Sequence, residues 1–254
     1  MKPTLVAGVP PDIFSKDGQL WGNPIYDWEY MKSNDFYWWK KRLSHCALLY
    51  DVIRIDHFRA FADYYAIPAD CKNARRGEWK TGVGIDFFNS VNEAIKNTEI
   101  IAEDLGGDTQ AVKKLIEQTA FPNMKVLQFA FDSDLDNPFL PRNFSENCVC
   151  YTGTHDNDTT VGWYEKATKK EKLMFDNLLS DKHYNSVAHK LIKYGMESKA
   201  QTVIIPLQDY LSLDSSCRTN TPGTENGNWE WRLKSGMLDD RLINTVKELS
   251  NGRN

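Results

Sequence analysis

Residues 50–59 read YDVIRIDHFR, an apolar run that ends in Asp56 and a histidine. Residues 98–107 read TEIIAEDLGG and repeat this arrangement, with Glu103 at the end of the apolar run. Short runs of this kind, rich in β-branched residues and bounded by polar residues, are typical of buried strands. Both runs therefore predict a strand that carries an acidic side chain at its carboxyl end.

Further runs of the same kind follow along the chain, and helix-length segments separate them. The predicted strands are residues 50–59, 98–107, 125–131, 147–156 and 200–209. The predicted helices are residues 89–96, residues 110–118 with Asp108 and Thr109 as a cap, and residues 169–179. Strands that alternate with helices indicate βα units around a parallel sheet, and therefore an α/β fold. No linker rich in Gly, Pro or Ser divides the chain, so we predict a single domain over residues 1–254.

The number of predicted strands bears on the architecture. A (β/α)₈ barrel needs eight strands and typically about 250 residues, whereas the patterns predict about five strands. Either the sheet is open, or the chain forms part of a larger barrel. Residues 6–27 contain three prolines and three glycines and read as a loop. Such an opening is unusual for an independent domain, and it favours a truncated barrel.

Three carboxylates, those of Asp56, Glu103 and Asp156, end separate predicted strands. In barrel enzymes the side chains at the carboxyl ends of the strands converge on one site. Such a set suits glycosidic chemistry, in which one carboxylate attacks, a protonated one assists the leaving oxygen, and a third can stabilise the oxocarbenium-like charge. Arg54 lies on the same strand face as Asp56, where it would keep Asp56 ionised. The apolar residues before Glu103 and neighbouring carboxylates would raise its pKa.

Each of these features also has a structural interpretation. Asp56 with Arg54 fits an ion pair, and Glu103 fits a helix cap or a loop carboxylate. Residues 154–159, THDNDT, fit a turn rich in Asx motifs or a metal-binding loop, although the ligand spacing and glycine of an EF-hand are missing. His155 fits a hydrogen-bonded histidine near the core as well as a ligand of substrate hydroxyls. The occurrence of all three carboxylates, in order and one at each strand end, favours catalysis.

The composition argues against several classes of protein. A net charge of −4 does not indicate a nucleic-acid partner or a polybasic membrane surface, and no window approaches the apolar length of a membrane span. Five cysteines at irregular spacing indicate neither a disulfide framework nor a zinc site. Together with the lack of a secretory signal, they predict a cytoplasmic protein. The 8 Trp, 11 Tyr and 12 Phe residues fit either a core or a cleft that stacks on sugars.

Three motifs resemble those of the 4-α-glucanotransferases, the amylomaltase or disproportionating-enzyme family (glycoside hydrolase family 77) related to the α-amylases. Residues 54–59, RIDHFR, resemble the nucleophile motif, and residues 101–106, IAEDLG, resemble the acid/base motif. Residues 151–159, YTGTHDNDT, resemble the motif that carries the transition-state-stabilising aspartate, here Asp156. The resemblance runs almost end to end and includes residues 9–12, 18–24, 220–224 and 227–229. It implies a (β/α)₈ TIM barrel of the α-amylase superfamily, incomplete here and limited to strands four to eight.

The resemblance also implies a mechanism, a retaining double displacement on α-1,4-glucans. Asp56 would attack the anomeric carbon while Glu103 protonates the departing chain. Glu103 would then deprotonate the 4-hydroxyl of an acceptor glucan or glucose. The residues implied as sugar contacts are Gln19, Trp21, Arg54, His57, Asp104, Phe129, Asp132, His155 and Asn220. Malto-oligosaccharides would be the substrates, and neither a metal nor an organic cofactor is implied.

Two other functions stay open, an α-amylase-type hydrolase and a glucan-binding fragment that does not turn over. Five strands of a barrel expose two sheet edges and leave the core unclosed. We therefore expect the isolated chain to be poorly folded or oligomeric, and inactive. The sequence does not define the oligomeric state.

Overall fold

The computed structural model describes residues 2–11, 15–106, 109–251 and 253. Asp12, which belongs to a motif quoted above, lies outside these residues. The same is true of Gly107 and Asp108, where the second predicted run ends and the predicted helix cap begins. The described chain forms two compact units, residues 1–123 and 124–254. The prediction of a single domain stays a prediction.

The first unit contains two kinds of sheet. Its strands are β1 (Leu5–Val9), β2 (Gln19–Pro24), β3 (Val52–Ile55), β4 (Asp63–Pro68), β5 (Glu78–Thr81), β6 (Glu99–Ala102) and the start of β7 (Asn123–Val126). Its helices are α1 (Trp28–Ser33), α2 (Tyr37–Leu49), α3 (Ile85–Ile95) and α4 (Gln110–Thr119). Strands β2, β1, β4 and β5 pair in that order as an antiparallel sheet.

The second unit continues the alternation of strands and helices. Its further strands are β8 (Cys148–Tyr151) and β9 (Thr202–Ile204). Its helices are α5 (Thr160–Lys166), α6 (Lys169–Leu178), α7 (Val187–Met196), α8 (Leu207–Tyr210) and α9 (Asp240–Ser250). The strand order β3-β6-β7-β8-β9 gives a five-stranded sheet, with parallel pairing at β3–β6, β6–β7 and β8–β9. This is the α/β arrangement that the sequence predicts.

The pairing of β3 with β6 decides where two of the predicted carboxylates lie. Ile55 pairs with Ala102 at the carboxyl ends of the two strands. Asp56 and Glu103 are the next residues, so they leave the sheet at equivalent positions. The backbone N–H of Glu103 donates to the carbonyl of Ile55 at 2.9 Å and extends the pairing by one step.

The prediction that residues 6–27 form a loop is wrong, because this range contains most of β1 and all of β2. Gly8 and Pro24, which suggested a loop, are compatible with their places in this sheet. A Cβ on Gly8 would lie 2.2 Å from the carbonyl oxygen of Gln19, so the two strands can approach only if this residue is glycine. Pro24 lies at the end of β2, an edge strand, where the missing N–H costs little.

In the third and the fifth of the predicted strands, a helix begins within the predicted range. After β7, residues Leu127–Phe129 turn into a 3₁₀ helix. The buried residues Leu127, Ala130 and Phe131 then follow a helical spacing, which an apolar run does not distinguish from a strand. After β9, Pro206 lacks an N–H for strand pairing and precedes helix α8.

The predicted helices are confirmed with small shifts at their ends. Helix α4 begins at Gln110 as predicted, and the hydroxyl of Thr109 accepts from the N–H of Val112 at 3.3 Å. Helix α6 begins at Lys169 with a capping box between Thr168 and Glu171. Helix α3 begins at Ile85, four residues before the predicted start.

Each unit has its own apolar core. In the first, aromatic residues of α3 and of the segment after β3 pack together, among them Phe58, Phe61, Phe87 and Phe88. In the second, β8 packs on α6 and α7 through Cys150, Phe175 and Leu191. Among the described residues, no helix is both long enough and apolar enough to cross a membrane.

Candidate active site

Glu103 is held at the end of β6 by two backbone donors. The N–H of His57 donates to Oε2 at 2.7 Å, and the N–H of Leu105 donates to Oε1 at 2.9 Å. Burial raises the pKa of Glu103 to about 7; the charge of Asp56 adds to the rise, and the two backbone hydrogen bonds oppose it. A carboxyl with a pKa near neutrality exchanges a proton readily at physiological pH, as a general acid and base must.

Asp56 is far more open to solvent than Glu103. Its side chain is 82% exposed, and Nη2 of Arg54 lies 3.6 Å from its Oδ1. This distance allows charge attraction but is too long for a strong hydrogen bond. An accessible carboxylate next to a buried acid gives two carboxyl groups in different environments, as the two roles in glycosidic chemistry require.

Strand β2 brings two of the predicted sugar contacts to His57. The ring of Trp21 meets the imidazole edge to face, with centroids 4.8 Å apart. The indole N–H of Trp21 donates to Oε1 of Gln19 at 3.1 Å. Burial lowers the pKa of His57, which favours a neutral imidazole at pH 7. The four predicted residues Gln19, Trp21, Arg54 and His57 thus lie within the first unit, two of them on a strand that sequence reasoning missed.

The loop after Glu103 has contacts that sequence reasoning did not assign. The carboxylate of Asp104 accepts from Nδ2 of Asn123 at 3.2 Å. The buried Arg59 donates to the carbonyl of Gly106 at 2.9 Å and to Asp63 at 2.6 Å. Its guanidinium also lies over the ring of Trp79, 4.2 Å from the centroid. Arg59 belongs to the RIDHFR motif, so its place beside Asp56 in sequence was the one signal that could have identified it.

In the second unit, Asp156 is held by the segment that contains Asn220. Nδ2 of Asn220 donates to Oδ1 of Asp156 at 2.6 Å, and Nη2 of Arg218 donates to the Asp156 carbonyl at 2.6 Å. Nε2 of His155 lies 3.4 Å from Oδ2 of Asp156. The predicted residues His155, Asp156 and Asn220 are therefore together, and Arg218 is an addition that no strand-end pattern could indicate.

The THDNDT run begins with a β-turn, in which the N–H of Asn157 donates to the carbonyl of Thr154 at 3.2 Å. Oδ1 of Asn157 accepts from both the N–H and the hydroxyl of Thr154 at 2.9 Å. The carboxylate of Asp158 instead points to Lys166 and Ser215, at 2.5 and 2.7 Å. Among the described residues, no group of three or more His, Cys, Asp or Glu side chains is arranged to hold a metal ion.

Phe129 and Asp132 lie in different surroundings. Phe129 lines a cleft of about 330 Å³ in the second unit together with Asp156, Trp163 and Arg218. Asp132 does not line this cleft; its Oδ1 accepts from Nδ2 of the buried Asn137 at 2.9 Å. The structure thus brings Phe129 to Asp156 and gives Asp132 a partner in its own loop.

The chain is similar to known proteins in both its sequence and its structure. Residues 1–239 match the family model described as 4-alpha-glucanotransferase. The chain is 48% identical over 240 residues to a 4-alpha-glucanotransferase of Synechocystis, covering 94% of this chain and 48% of that protein. It is 47% identical over 240 residues to a chloroplastic/amyloplastic 4-alpha-glucanotransferase of Arabidopsis thaliana, covering 94% of this chain and 42% of that protein.

A solved structure gives the same result for the fold. The amylomaltase of Streptococcus agalactiae, solved in complex with acarbose, superposes with a TM-score of 0.94 at 37% identity and covers 98% of this chain. The match covers 51% of that protein. This superposition agrees with the prediction of an incomplete (β/α)₈ barrel, of which the chain contains five strands. The chain spans about half the length of the relatives that it matches.

Proposed function

The chain belongs to the 4-alpha-glucanotransferase family, and from that premise we propose that it provides the catalytic carboxylates of an enzyme that transfers α-1,4-glucan segments between sugars. The observation that carries the proposal is the state of Glu103. Its carboxyl is buried, held by two backbone N–H groups, and has a pKa of about 7. Glu103 comes directly after Ala102, and Asp56 directly after its pairing partner Ile55, so the two carboxylates leave the sheet at equivalent positions. Asp56 is an accessible carboxylate next to Arg54.

The proposed reaction is a retaining double displacement. A carboxylate oxygen of Asp56 attacks the anomeric carbon, the glycosidic C–O bond breaks, and Glu103 gives its proton to the departing oxygen. The 4-hydroxyl oxygen of an acceptor glucan or glucose then attacks the same carbon and releases Asp56, while Glu103 takes the hydroxyl proton. Asp156 stabilises the positive charge on the sugar ring in both transition states. The carboxylate of Asp156 is oriented for this role by Asn220.

The other predicted contacts would bind the sugars around this centre. The exposed ring of Trp21 and the ring of Phe129 offer apolar faces, and Gln19, Arg54, His57, Asp104, Asp132, His155 and Asn220 offer polar groups to the hydroxyls. Transfer exceeds hydrolysis only where an acceptor sugar is held in line and water is excluded. Malto-oligosaccharides are the proposed substrates. We also propose a cytoplasmic location, which the five thiols support.

The proposal is tested by incubating the complete protein, at the full length that its gene encodes, with maltotriose and analysing the products. Glucose together with chains longer than maltotriose supports transfer. Shortened products alone would support an α-amylase-type hydrolase, and retention on a glucan gel without turnover would support a binding fragment. A Glu103→Gln variant supplied with an α-glucosyl fluoride sharpens the test, because fluoride leaves without a proton. The glucosyl group should then accumulate on the peptide that contains Asp56, and mass spectrometry detects it; label on any other residue contradicts the assignment.

A further inference from the structure

A buried carboxylate, that of Asp209, joins the two ends of the segment that carries His155 and Asp156. Asp209 lies in helix α8 and is 1% exposed. It accepts from the hydroxyl of Thr152 at 2.5 Å, and from the hydroxyl and the N–H of Thr160 at 2.8 Å each. Thr152 follows β8 and Thr160 begins α5. Residues 153–159 are therefore a loop whose two ends are held by one side chain.

The preceding residue, Gln208, reaches the other segment that contacts Asp156. Gln208 is buried, and its Nε2 donates to the carbonyl of Cys217 at 3.3 Å and to the hydroxyl of Thr219 at 3.1 Å. Arg218 lies between these two residues, and Asn220 follows them. The side chains of Arg218 and Asn220 both donate to Asp156. Two consecutive side chains of α8 thus hold the two segments that meet at this carboxylate.

Simple stabilisation does not account well for such a pair. Burial raises the pKa of Asp209, and three donated hydrogen bonds act in the opposite direction. A buried polar group contributes little net stability relative to an apolar residue of the same shape, but it restricts its partners to one geometry. Catalytic groups need a tightly defined geometry, and hydrogen bonds from surrounding residues commonly provide it.

We propose that Gln208 and Asp209 are positioning residues for Asp156. Asp209 fixes the loop from which Asp156 projects, and Gln208 fixes the segment that delivers the Asn220 donor to it. The hydrogen bonds support this positioning without reference to activity, and only its importance for catalysis rests on the proposed function. The test therefore requires no substrate, so that a failure of the proposed activity does not affect it.

The test follows the side-chain carboxamide of Asn220 by NMR, in the protein at the full length that its gene encodes. Gln208→Met keeps the volume but removes both hydrogen bonds of Gln208, and Thr219→Val removes only the one to the Thr219 hydroxyl, with little risk to folding. Asp209→Asn replaces one acceptor oxygen of Asp209 by an NH₂ group and so weakens its hydrogen bonds to Thr152 and Thr160. Each variant should move the Asn220 carboxamide protons upfield, toward the shifts of a water-exposed asparagine, and speed their exchange.

The matched controls are Gln201→Met, at an exposed position before β9, and Asp176→Asn on α6; neither should move the Asn220 signals. Thermal unfolding of every variant is measured in parallel. Lower unfolding temperatures with unchanged Asn220 signals in Gln208→Met, Thr219→Val and Asp209→Asn would overturn the proposal, because the pair would then be structural only. If Gln208→Met fails to fold, Thr219→Val decides whether the hydrogen bond from Gln208 to Thr219, the residue before Asn220, positions Asn220.

Discussion

The indole of Trp229 lies over the imidazole of His155, with ring centroids 5.1 Å apart and planes inclined by 37°. The backbone of Trp229 is left-handed, with a φ of +61°. This conformation costs a bulky residue about 1–2 kcal/mol. The N–H of Trp229 donates to the carbonyl of Thr219 at 2.7 Å, which holds the residue in place. Because 56% of the side chain is exposed, core packing does not explain why a strained position carries a tryptophan, and sugar stacking would.

Trp229→Gly should therefore separate stability from binding. Glycine adopts a positive φ without steric cost, and this relief offsets the loss of the buried part of the indole surface. Because the two effects oppose each other, we expect the free energy of unfolding to change by no more than about 1 kcal/mol. The affinity for malto-oligosaccharides should fall, because a stacking face beside His155 disappears. Urea denaturation and calorimetric titration with maltoheptaose measure the two quantities.

The matched control is Trp229→Phe, which keeps both an aromatic face and the strained backbone. It should retain most of the affinity and gain no stability. Unchanged affinity in Trp229→Gly, or a loss of several kcal/mol of stability, would show that the indole serves the fold instead of the ligand.

Glu103 should make the stability of the protein depend on pH in an unusual direction. Its pKa is raised by burial from 4.5 to about 7 in the folded state. Glu103 in the folded state therefore binds a proton more tightly than in the unfolded state, and its contribution to stability is greatest below pH 4.5 and falls as the pH rises to about 7. With about 1.4 kcal/mol for each pH unit of difference, the loss is up to about 3 kcal/mol.

The measurement is the difference in free energy of unfolding between the wild type and Glu103→Gln across this pH window. Glutamine does not titrate. The stability of the wild type minus that of Glu103→Gln should therefore fall as the pH rises from 4.5 to 7. Glu99→Gln, at the exposed start of the same strand, is the control and should track the wild type. A difference that is constant across the window would mean that Glu103 titrates at an ordinary pKa.

The carboxylates at the strand ends were predictable because they depend only on local sequence and on strand register. An apolar run followed by an acid predicts Asp56 and Glu103 at the end of β3 and β6, and the parallel pairing of Ile55 with Ala102 brings them to one edge. The expected rise in the pKa of Glu103 also follows from its apolar neighbours. The backbone donor from His57 was not predictable, because it depends on the turn that His57 makes with a φ of +46°.

The antiparallel sheet was missed for the opposite reason, since its central pair joins β1 to β4, more than 50 residues further along the chain. Strand β2 is exposed along its length and shows no alternation, and the close approach at Gly8 is invisible without its partner strand. Arg218 and Gln208 were missed likewise, because they act on Asp156 from segments more than 50 residues away. Local patterns predict which residues end a strand, whereas the residues that orient them come from the tertiary fold.

Lys166 should stabilise the second unit through Asp158. The Asp158 side chain is 8% exposed while that of Lys166 is 65% exposed, and their charged atoms lie 2.5 Å apart. Burial opposes ionisation of Asp158, but hydrogen bonds from Lys166 and Ser215 outweigh it and lower the pKa. A lowered carboxyl pKa contributes stability above the unfolded pKa of about 4, and that stability is lost as the pH falls. Lys166→Met should thus cost about 1–3 kcal/mol at pH 7 and much less at pH 3.

Lys96→Met is the matched control, because Lys96 pairs at 3.0 Å with Glu93 and both side chains are largely exposed. Such surface pairs contribute about 0–1 kcal/mol. Urea denaturation at pH 7 and pH 3 measures all three proteins. Equal losses for Lys166→Met at both pH values would show that the lysine acts through its aliphatic chain and not through its charge.

Gly162 should tolerate no side chain, although it lies in helix α5, where alanine is intrinsically favoured by about 1 kcal/mol. A Cβ at this position would lie 2.1 Å from Oγ of Ser215 and 2.7 Å from Oδ1 of Asp158. Either the helix shifts or the Asp158–Ser215 hydrogen bond breaks. We therefore expect Gly162→Ala to lower the free energy of unfolding by about 1–3 kcal/mol.

Two variants make this last prediction specific. Gly195→Ala, in helix α7, places a Cβ 3.0 Å from Cδ1 of Leu127, the movable end of a side chain, and should be close to neutral. In a Ser215→Ala background the nearest obstructing atom is absent, so Gly162→Ala should cost less there than in the wild type, and a double-mutant cycle measures the coupling. Additive losses in that cycle, or a Gly162→Ala variant as stable as Gly195→Ala, would mean that α5 moves freely and that its contact with Ser215 does not hold the loop beside Asp156.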